Sequence, residues 1–213
     1  MDEVIVRRRD DGALELRVNG VFVMDDLETT SERLLANTAL DTGARDVLVG
    51  GLGLGFTTRE LLASAVVDRV VVAELHGEIV GRMRDGTIPG ADLLDDPRLD
   101  VVVGDVRDVV SAQPRASFDA ILLDVDNGPD FLVHDENAAV YREGFVATCA
   151  ARLRTTGLLA IWSMADSDAV RALLEAHFDE VTVESVDVRL QGRDECYWIL
   201  AGRRPRRSAI VPT

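Results

Sequence analysis

The chain is poor in cysteine, with two residues among 213. Cys149 and Cys196 lie far apart and form no Cys-x-x-Cys pair, so the sequence predicts neither a disulfide framework nor a cysteine metal site. The histidines also lack the spacing of metal ligands, and we expect no bound metal. This cysteine usage is typical of a reducing compartment, which predicts a cytoplasmic protein.

Long apolar runs and an excess of positive charge are missing as well. The N-terminus opens with acids and reaches Arg7-Arg8-Arg9 without an apolar segment, and no later run approaches the length of a membrane span. We therefore expect a soluble, unsecreted protein. The net charge of −15 disfavours binding to nucleic acid or an anionic membrane and favours cationic small molecules such as amines. Acidity that only keeps the protein soluble is an equally open interpretation.

The most informative segment present is a glycine-rich turn between two apolar runs. Residues 47–55 read VLVGGLGLG, and after a helical stretch the second run, residues 69–74, ends at Glu74. This arrangement is typical of a nucleoside-binding βαβ unit, in which Gly51, Gly53 and Gly55 let the backbone approach the ligand. A carboxylate at Glu74 is placed to accept both ribose hydroxyls. The alternative is a tight turn without a ligand.

The glycine spacing indicates which nucleoside is bound. Gly-x-Gly-x-Gly differs from the Gly-x-Gly-x-x-Gly of dinucleotide enzymes, because Phe56 stands where their third glycine is needed. The pattern favours a ligand without phosphates, such as S-adenosylmethionine (AdoMet), over a nicotinamide dinucleotide. An oxidoreductase is accordingly the weakest of the functions considered.

The remaining pattern predicts one α/β domain built on a doubly wound, mostly parallel sheet. Short apolar runs alternate with helical stretches, and several runs are apolar on both faces, as in the middle of a covered sheet. Asn19-Gly20 marks the turn of a small N-terminal β-hairpin, whose unpaired edge favours a homodimer. Two strands without an intervening helix, 181–190 and 195–201, predict an antiparallel C-terminal hairpin. We divide the chain into the hairpin and a helix (1–40), the nucleoside-binding domain (41–203) and a basic tail (204–213).

Acidic residues follow the predicted strands at the sheet edge where ligands bind in open parallel sheets. Asp105 is placed to accept a hydrogen bond from an adenine amino group, while Leu75 and Val106 would contact the cofactor. The alternative for Asp105 is a cap on the helix that follows it. Asp124 and Asp126 close the fourth strand of the predicted parallel sheet.

The segment after the fourth strand has the residues to handle an amine. A carboxylate of Asp124 or Asp126 could orient and deprotonate the amine, helped by a pKa that burial raises. Asn127 and His134 lie in the same segment and are candidate substrate contacts. The alternative for the acids is that they only order the loop. His76 could line the cofactor site, but for both His76 and His134 the alternative of a surface position is favoured.

Together, the glycine turn, Glu74, Gly104-Asp105, Asp124 and the N-terminal hairpin resemble the spermidine synthase family of aminopropyltransferases. The resemblance covers nearly the whole chain. It implies a Rossmann-like AdoMet-dependent methyltransferase fold and decarboxylated AdoMet as the bound nucleoside. It also implies that Glu74 binds the ribose, that Asp105 binds the adenine and that Asp124 activates the attacking amine.

The sequence departs from this family at several substrate positions. The family carries an aspartate inside the glycine turn that holds the amine of the aminopropyl group, whereas the corresponding Leu52, Gly53 and Leu54 supply no carboxylate. Val23 and Ser31 align near a family Gln and Tyr, and Asn127 stands where a second amine-binding acid is expected. These changes are expected to redirect substrate choice.

Two classes of function follow from the sequence. The first is a transferase that moves a methyl or an aminopropyl group to an amine or similar nucleophile, with AdoMet or decarboxylated AdoMet as the donor. The missing turn aspartate slightly favours intact AdoMet, whose carboxylate such an acid would repel. The second is a noncatalytic relative that binds the nucleoside for regulation or assembly.

Overall fold

The computed structural model describes residues 2–125 and 135–206, which form two β-sheets and the helices packed on them. The strands are β1 (Val4–Arg8), β2 (Leu14–Val18), β3 (Val21–Asp25), β4 (Asp46–Gly50), β5 (Arg69–Glu74), β6 (Leu99–Val103), β7 (Phe118–Leu123), β8 (Leu153–Ser163), β9 (Phe178–Leu190) and β10 (Arg193–Pro205). The α-helices are α1 (Thr30–Leu40), α2 (Phe56–Ala63), α3 (Gly77–Arg84), α4 (Ala91–Leu94), α5 (Val106–Ala112), α6 (Glu143–Arg152) and α7 (Asp168–His177). A 3₁₀-helix covers Asp135–Tyr141.

The larger sheet has seven strands in the order β6-β5-β4-β7-β8-β10-β9. The first five of these strands run parallel, and β10 pairs antiparallel with both β8 and β9. The chain moves outward from β4 in one direction to β5 and β6, and in the other to β7 and β8. This reversal of strand order creates a crevice at the carboxyl end of β4, where ligands bind in open α/β sheets. The predicted Rossmann-like fold with its C-terminal hairpin is confirmed.

Alternate residues of the central strands pack into two hydrophobic cores, one on each face of the sheet. On β4, Val47 and Val49 pack into the core that also contains α1, α2 and α3, whereas Leu48 points into the core formed with α5, α6 and α7. All three side chains are fully buried. Burial on both faces explains why these strands read as continuous apolar runs, because helices cover both faces of the parallel sheet.

The N-terminal sheet has one strand more than the predicted hairpin. The turn at Asn19-Gly20 joins β2 to β3 as expected, with a φ of 51° at Asn19 and 77° at Gly20. In addition, β1 pairs antiparallel with β2. The sequence analysis missed β1 because its apolar half leads directly into an arginine run. The buried face of this sheet packs against the core that contains residues of α1, α2 and α3.

Element boundaries differ from the sequence prediction mainly in the second half of the chain. The apolar spacing of residues 137–153 predicts one helix, but the backbone of Arg142 is extended (φ −108°, ψ 152°) and separates the 3₁₀-helix from α6. Strand β10 continues to Pro205, and Arg204 and Arg206 form ion pairs with β9. The first residues of the expected basic tail are thus part of the sheet. The division of the chain at residues 40 and 203 stays a prediction.

Helix α1 lies with the larger sheet, where it packs against α2 and against strands β7 to β10. This contact brings its N-terminal turn close to the crevice at the end of β4. None of the helices in the described ranges combines the length and the apolar character needed to cross a bilayer.

Candidate active site

The glycine turn lies at the crevice and is tied to the neighbouring strand ends by backbone hydrogen bonds. Gly51 N–H donates to the carbonyl of Ala73 over 2.8 Å, and Asp124 N–H donates to the carbonyl of Gly50 over 2.8 Å. Gly51 has a φ of 94°, and a Cβ atom there would lie 2.1 Å from the carbonyl oxygen of Asp124. Only glycine allows this close approach, so the turn and Asp124 are held in one fixed arrangement.

A cavity opens between this turn, the ends of the parallel strands and the N-terminal sheet. Its empty space amounts to about 960 Å³ including the part open to solvent. Its lining is largely apolar, with a few carboxylates. Among the predicted site residues it brings together Gly51, Gly53, Glu74, Leu75, Asp105, Val106 and Asp124.

Glu74 ends β5 with a carboxylate that is oriented by two backbone donors. Its Oε2 accepts a hydrogen bond from Leu52 N–H over 2.8 Å, and its Oε1 accepts one from His76 N–H over 2.8 Å. The residue is 4% exposed. Each carboxylate oxygen has two lone pairs; the second on Oε2 can accept a hydrogen bond from a ligand in the cavity, whereas Oε1 also faces His76 Nδ1 at 3.5 Å. Glu74 is thus placed where a hydroxyl group of a ligand can be bound.

His76 lies next to Glu74 and also lines the cavity. Its Nδ1 lies 3.5 Å from Glu74 Oε1, and its Nε2 lies 3.3 Å from Asp2 Oδ2. The hydrogen bond to Glu74 raises the pKa of this imidazole above its usual value, against the opposing effect of burial. His76 is therefore a partly buried neighbour of the carboxylate, not the surface residue that the alternative interpretation expected.

Asp105 is the N-cap of α5, as the alternative interpretation of the sequence expected. Its Oδ1 accepts a hydrogen bond from Arg107 N–H over 2.8 Å, and the Arg107 guanidinium binds both of its carboxylate oxygens. These hydrogen bonds hold the pKa of Asp105 below its usual value. The residue still borders the cavity together with Val106. Capping therefore fixes the position of this carboxylate, and contact with an adenine stays a prediction.

Asp124 follows β7 and faces the cavity at its centre. Thr57 Oγ1 lies 3.4 Å from its Oδ2 and is the side-chain donor that reaches it. Burial, with a smaller repulsive contribution from Glu74, raises the pKa of Asp124 to about 6, against the effect of the Thr57 hydrogen bond. A carboxylate with such a pKa is ionised at neutral pH yet basic enough to take a proton from a nucleophile.

Glu32 also lines this cavity, and the sequence analysis missed it. It lies in the first turn of α1 and is 8% exposed, and Ser31 Oγ donates a hydrogen bond to its Oε2 over 3.0 Å. Burial, followed by repulsion from Asp124, raises the pKa of Glu32 to about 8. The sequence does contain a signal for its burial. Glu32 precedes the buried Leu35 and Ala36 by three and four residues, and residues at these spacings lie on the same face of a helix.

A side chain at the middle glycine of the turn would meet the flexible side chain of Met24, which would have to shift. A Cβ atom on Gly53 would lie 2.7 Å from Met24 Sδ, and Leu54 N–H points at the same sulfur over 3.2 Å. Met24 belongs to β3, so the N-terminal sheet covers the turn. Gly55 instead begins α2, and a Cβ there would lie 3.0 Å from Leu93. Gly55 is the N-cap of α2 with a φ of 87°, a left-handed conformation that favours glycine.

Three predicted site residues, Asp126, Asn127 and His134, lie outside the described residues, and their roles stay predictions. Across residues 2–125 and 135–206, no group of three or more His, Cys, Asp and Glu residues is arranged to hold a metal ion.

Comparison with known proteins identifies relatives of one kind. No family model matches the chain. A polyamine aminopropyltransferase of Mycobacterium tuberculosis is 34% identical over 161 residues, which are 74% of this chain and 30% of that protein. Polyamine aminopropyltransferase 2 of Pseudomonas aeruginosa is 35% identical over 124 residues, which are 55% of this chain and 33% of that protein. The chain thus spans about a third of the length of these curated relatives.

Solved structures show the same relationship at the level of the fold. A spermidine synthase in complex with the transition-state analogue AdoDATO superposes with a TM-score of 0.80 at 16% identity, covering 96% of this chain and 71% of that one. The spermidine synthase of Thermotoga maritima gives a TM-score of 0.78 at 16% identity, covering 96% and 69%. The chain is therefore a relative of the polyamine aminopropyltransferases and has the Rossmann-like fold of the spermidine synthases.

Proposed function

We propose that this protein transfers the aminopropyl group of decarboxylated AdoMet to an amine. The observation that carries the proposal is the convergence of Glu74, Asp105 and Asp124 on one cavity beside the glycine turn. The relatives are named for aminopropyl transfer, and one structural neighbour is a spermidine synthase in complex with a transition-state analogue. Both favour an enzyme over a noncatalytic nucleoside-binding protein.

The nucleoside would bind with its ribose on Glu74. The two N–H groups that hold this carboxylate keep it oriented before the ligand arrives, so little freedom is lost on binding. The apolar side chains of Leu75 and Val106 border the same part of the cavity and would cover the two faces of the adenine. Asp105 would accept a hydrogen bond from the adenine amino group. Gly51 and Gly53 would let the turn approach the sulfur end of the donor.

Asp124 would act as the base in the transfer step. The amine nitrogen attacks the aminopropyl carbon bonded to the sulfonium sulfur, and that carbon–sulfur bond breaks with its electron pair passing to sulfur. The products are the neutral thioether methylthioadenosine and the alkylated amine, whose extra proton passes to Asp124. Alignment of nitrogen, carbon and sulfur supplies most of the rate gain, worth up to roughly 7–11 kcal/mol. Asp126, Asn127 and His134 follow Asp124 in sequence and are proposed to contact the acceptor.

The cellular context and assembly also belong to this proposal. Both cysteines are free thiols, with Cys149 buried, which suits a reducing cytoplasm. The N-terminal sheet has β1 and β3 as its edge strands, and pairing of one edge between two copies would form a homodimer. Light scattering coupled to size-exclusion chromatography would give the mass of twice one chain if this is correct, and the mass of a single chain if it is wrong.

Calorimetric titration with four nucleosides tests the donor. Decarboxylated AdoMet and methylthioadenosine should bind, whereas AdoMet and S-adenosylhomocysteine should bind more weakly because their carboxylates enter an acidic cavity. Glu74→Gln should weaken binding of decarboxylated AdoMet and methylthioadenosine by about 1.5–3 kcal/mol, the value of one charge-assisted hydrogen bond. Preference for AdoMet and S-adenosylhomocysteine would indicate methyl transfer instead, and binding of none of the four would refute the nucleoside site.

A further inference from the structure

The cavity contains a buried carboxylate that the reaction described above does not use. Glu32 reaches the cavity from α1, a different element from the strand ends that carry the other acids. Among the described residues, no arginine or histidine forms an ion pair with its carboxyl group, and its side-chain partner is the hydroxyl of Ser31. A buried carboxyl without a cation keeps its proton, and a bound partner of positive charge would allow it to ionise.

The order of the carboxylates along the cavity indicates where that partner lies. The negative charge of Glu74 contributes to the raised pKa of Asp124, and the negative charge of Asp124 contributes to the raised pKa of Glu32. Thr57 Oγ1 joins the last two, since it lies 3.4 Å from Asp124 Oδ2 and 3.4 Å from the backbone carbonyl of Glu32. With the ribose on Glu74 and the sulfur near Asp124, a chain attached to the sulfur would extend toward Glu32.

The wall beside Glu32 is aromatic. Trp162 lines the cavity, and its ring centroid lies 4.9 Å from that of Tyr197. Glu32 lines the same cavity as Trp162, and α1 packs against β10, the strand that carries Tyr197. The indole N–H of Trp162 is buried and has no acceptor among the described residues. Carboxylates together with an aromatic face are the chemistry that recognises an ammonium group.

We propose that Glu32, with Asp124, binds the terminal ammonium of the donor's aminopropyl group and so selects the decarboxylated donor over intact AdoMet. This inference rests on the proposed function. In the glycine turn, Met24 lies beside Gly53, and Leu52, Gly53 and Leu54 supply no carboxylate. The acid that the turn lacks is supplied by α1 instead. The ammonium of the decarboxylated donor would stabilise the ionised form of Glu32, whereas the carboxylate of intact AdoMet would be repelled by Asp124 and by ionised Glu32.

Binding measurements on matched variants test this role. Decarboxylated AdoMet and methylthioadenosine share the adenosine and differ by the aminopropyl group and the sulfonium charge. In Glu32→Gln, the affinity for decarboxylated AdoMet should fall at least about tenfold while that for methylthioadenosine changes less than about twofold, because one charge-assisted hydrogen bond is lost. The discrimination against intact AdoMet should shrink in the same variant. Glu175→Gln, an equal charge change at an exposed position of α7, should leave all affinities unchanged.

The remaining outcomes overturn the inference in different ways. Equal loss of both ligands in Glu32→Gln would make Glu32 a structural residue, and unchanged affinity for decarboxylated AdoMet would remove it from the donor site. A higher KM for the amine with unchanged donor affinity would assign it to the acceptor. Retained methylthioadenosine binding shows that the variant is folded, and Glu32→Asp, which keeps the charge, should bind the donor more tightly than Glu32→Gln. Failure of the unmodified protein to bind methylthioadenosine would instead refute the proposed function and this inference with it.

Discussion

Replacing Glu32 by glutamine should stabilise the free protein, and the gain should grow with pH. The buried carboxyl has a pKa of about 8 in the folded protein, against 4.5 as its ordinary value. A carboxyl whose pKa is raised by folding binds its proton more tightly in the folded state. The stabilisation that this tighter proton binding gives the folded protein is therefore fully present below pH 4.5 and is lost as the pH rises through about 8. Glutamine has a similar shape and no charge, so it carries no such pH-dependent cost.

The magnitude follows from the size of the pKa shift. The pKa of Glu32 is 4.5 as its ordinary value and about 8 in the folded protein. At 1.36 kcal/mol per unit of pKa, this difference limits the loss of folding stability to about 5 kcal/mol, of which about 3 kcal/mol is reached by pH 7. The free energy of unfolding of Glu32→Gln, minus that of the unmodified protein, should thus rise by about 3 kcal/mol between pH 4.5 and pH 7. For a chain of this size this equals roughly 6–12 °C in Tm.

Urea unfolding followed by circular dichroism at pH 4.5, 6, 7 and 8 would measure this difference. Taking the difference between two proteins removes the effect of every group that titrates equally in both. Glu175→Gln serves as the control and should show a difference that is small and independent of pH, because this residue is exposed. A difference for Glu32→Gln that is flat from pH 4.5 to 8 would refute the assignment of Glu32 as a buried, cation-free carboxyl.

Three further predictions concern the base, the glycine turn and the N-terminal sheet. The value of kcat/KM for transfer should fall below pH 6, since Asp124 has a pKa of about 6 and must be ionised to accept a proton; a rate that is level from pH 5 to 8 would exclude it as the base. Gly51→Ala should cost at least about 3 kcal/mol of stability and most of the activity, because its Cβ would meet a backbone oxygen. Gly86 also has a positive φ but has open space around it, so Gly86→Ala should cost only about 1–2 kcal/mol in the same chemical unfolding assay. Arg9→Met should cost about 3 kcal/mol, measured in the same way, because it leaves the buried carboxylate of Asp25 without the cation that lies 2.7 Å away; a loss below about 1 kcal/mol would show that this ion pair is not needed.

The parallel sheet and the strand-end acids were predictable because the physics behind them is local in the sequence. Val47 to Val49 read as a strand buried on both faces, and Glu74 and Asp124 end apolar runs of the same kind. Parallel strands end at the same edge of the sheet, so acids that follow them meet without further information. Their convergence could therefore be expected before any coordinates.

Other features depend on contacts between elements that are distant in sequence. Glu32 could be recognised as buried from its spacing to Leu35, but the partner that it faces, Asp124, is set by the packing of α1 against the sheet. Strand β1 could not be read from its own residues, because Val4 and Val6 lead into arginines and the strand is defined by its pairing with β2. For Asp105, the sequence permitted both a cap and an adenine contact, and the structure shows the cap.

The central claim is most directly tested by incubating the protein with decarboxylated AdoMet and a series of diamines and polyamines, and by identifying the products with mass spectrometry. The account predicts equimolar methylthioadenosine and an amine heavier by one aminopropyl group, with both reduced at least about 100-fold in Asp124→Asn, the usual value of a lost general base. Under the same conditions AdoMet should give no methylated amine. Methylated product from AdoMet, or no product from a protein that binds decarboxylated AdoMet, would contradict the account.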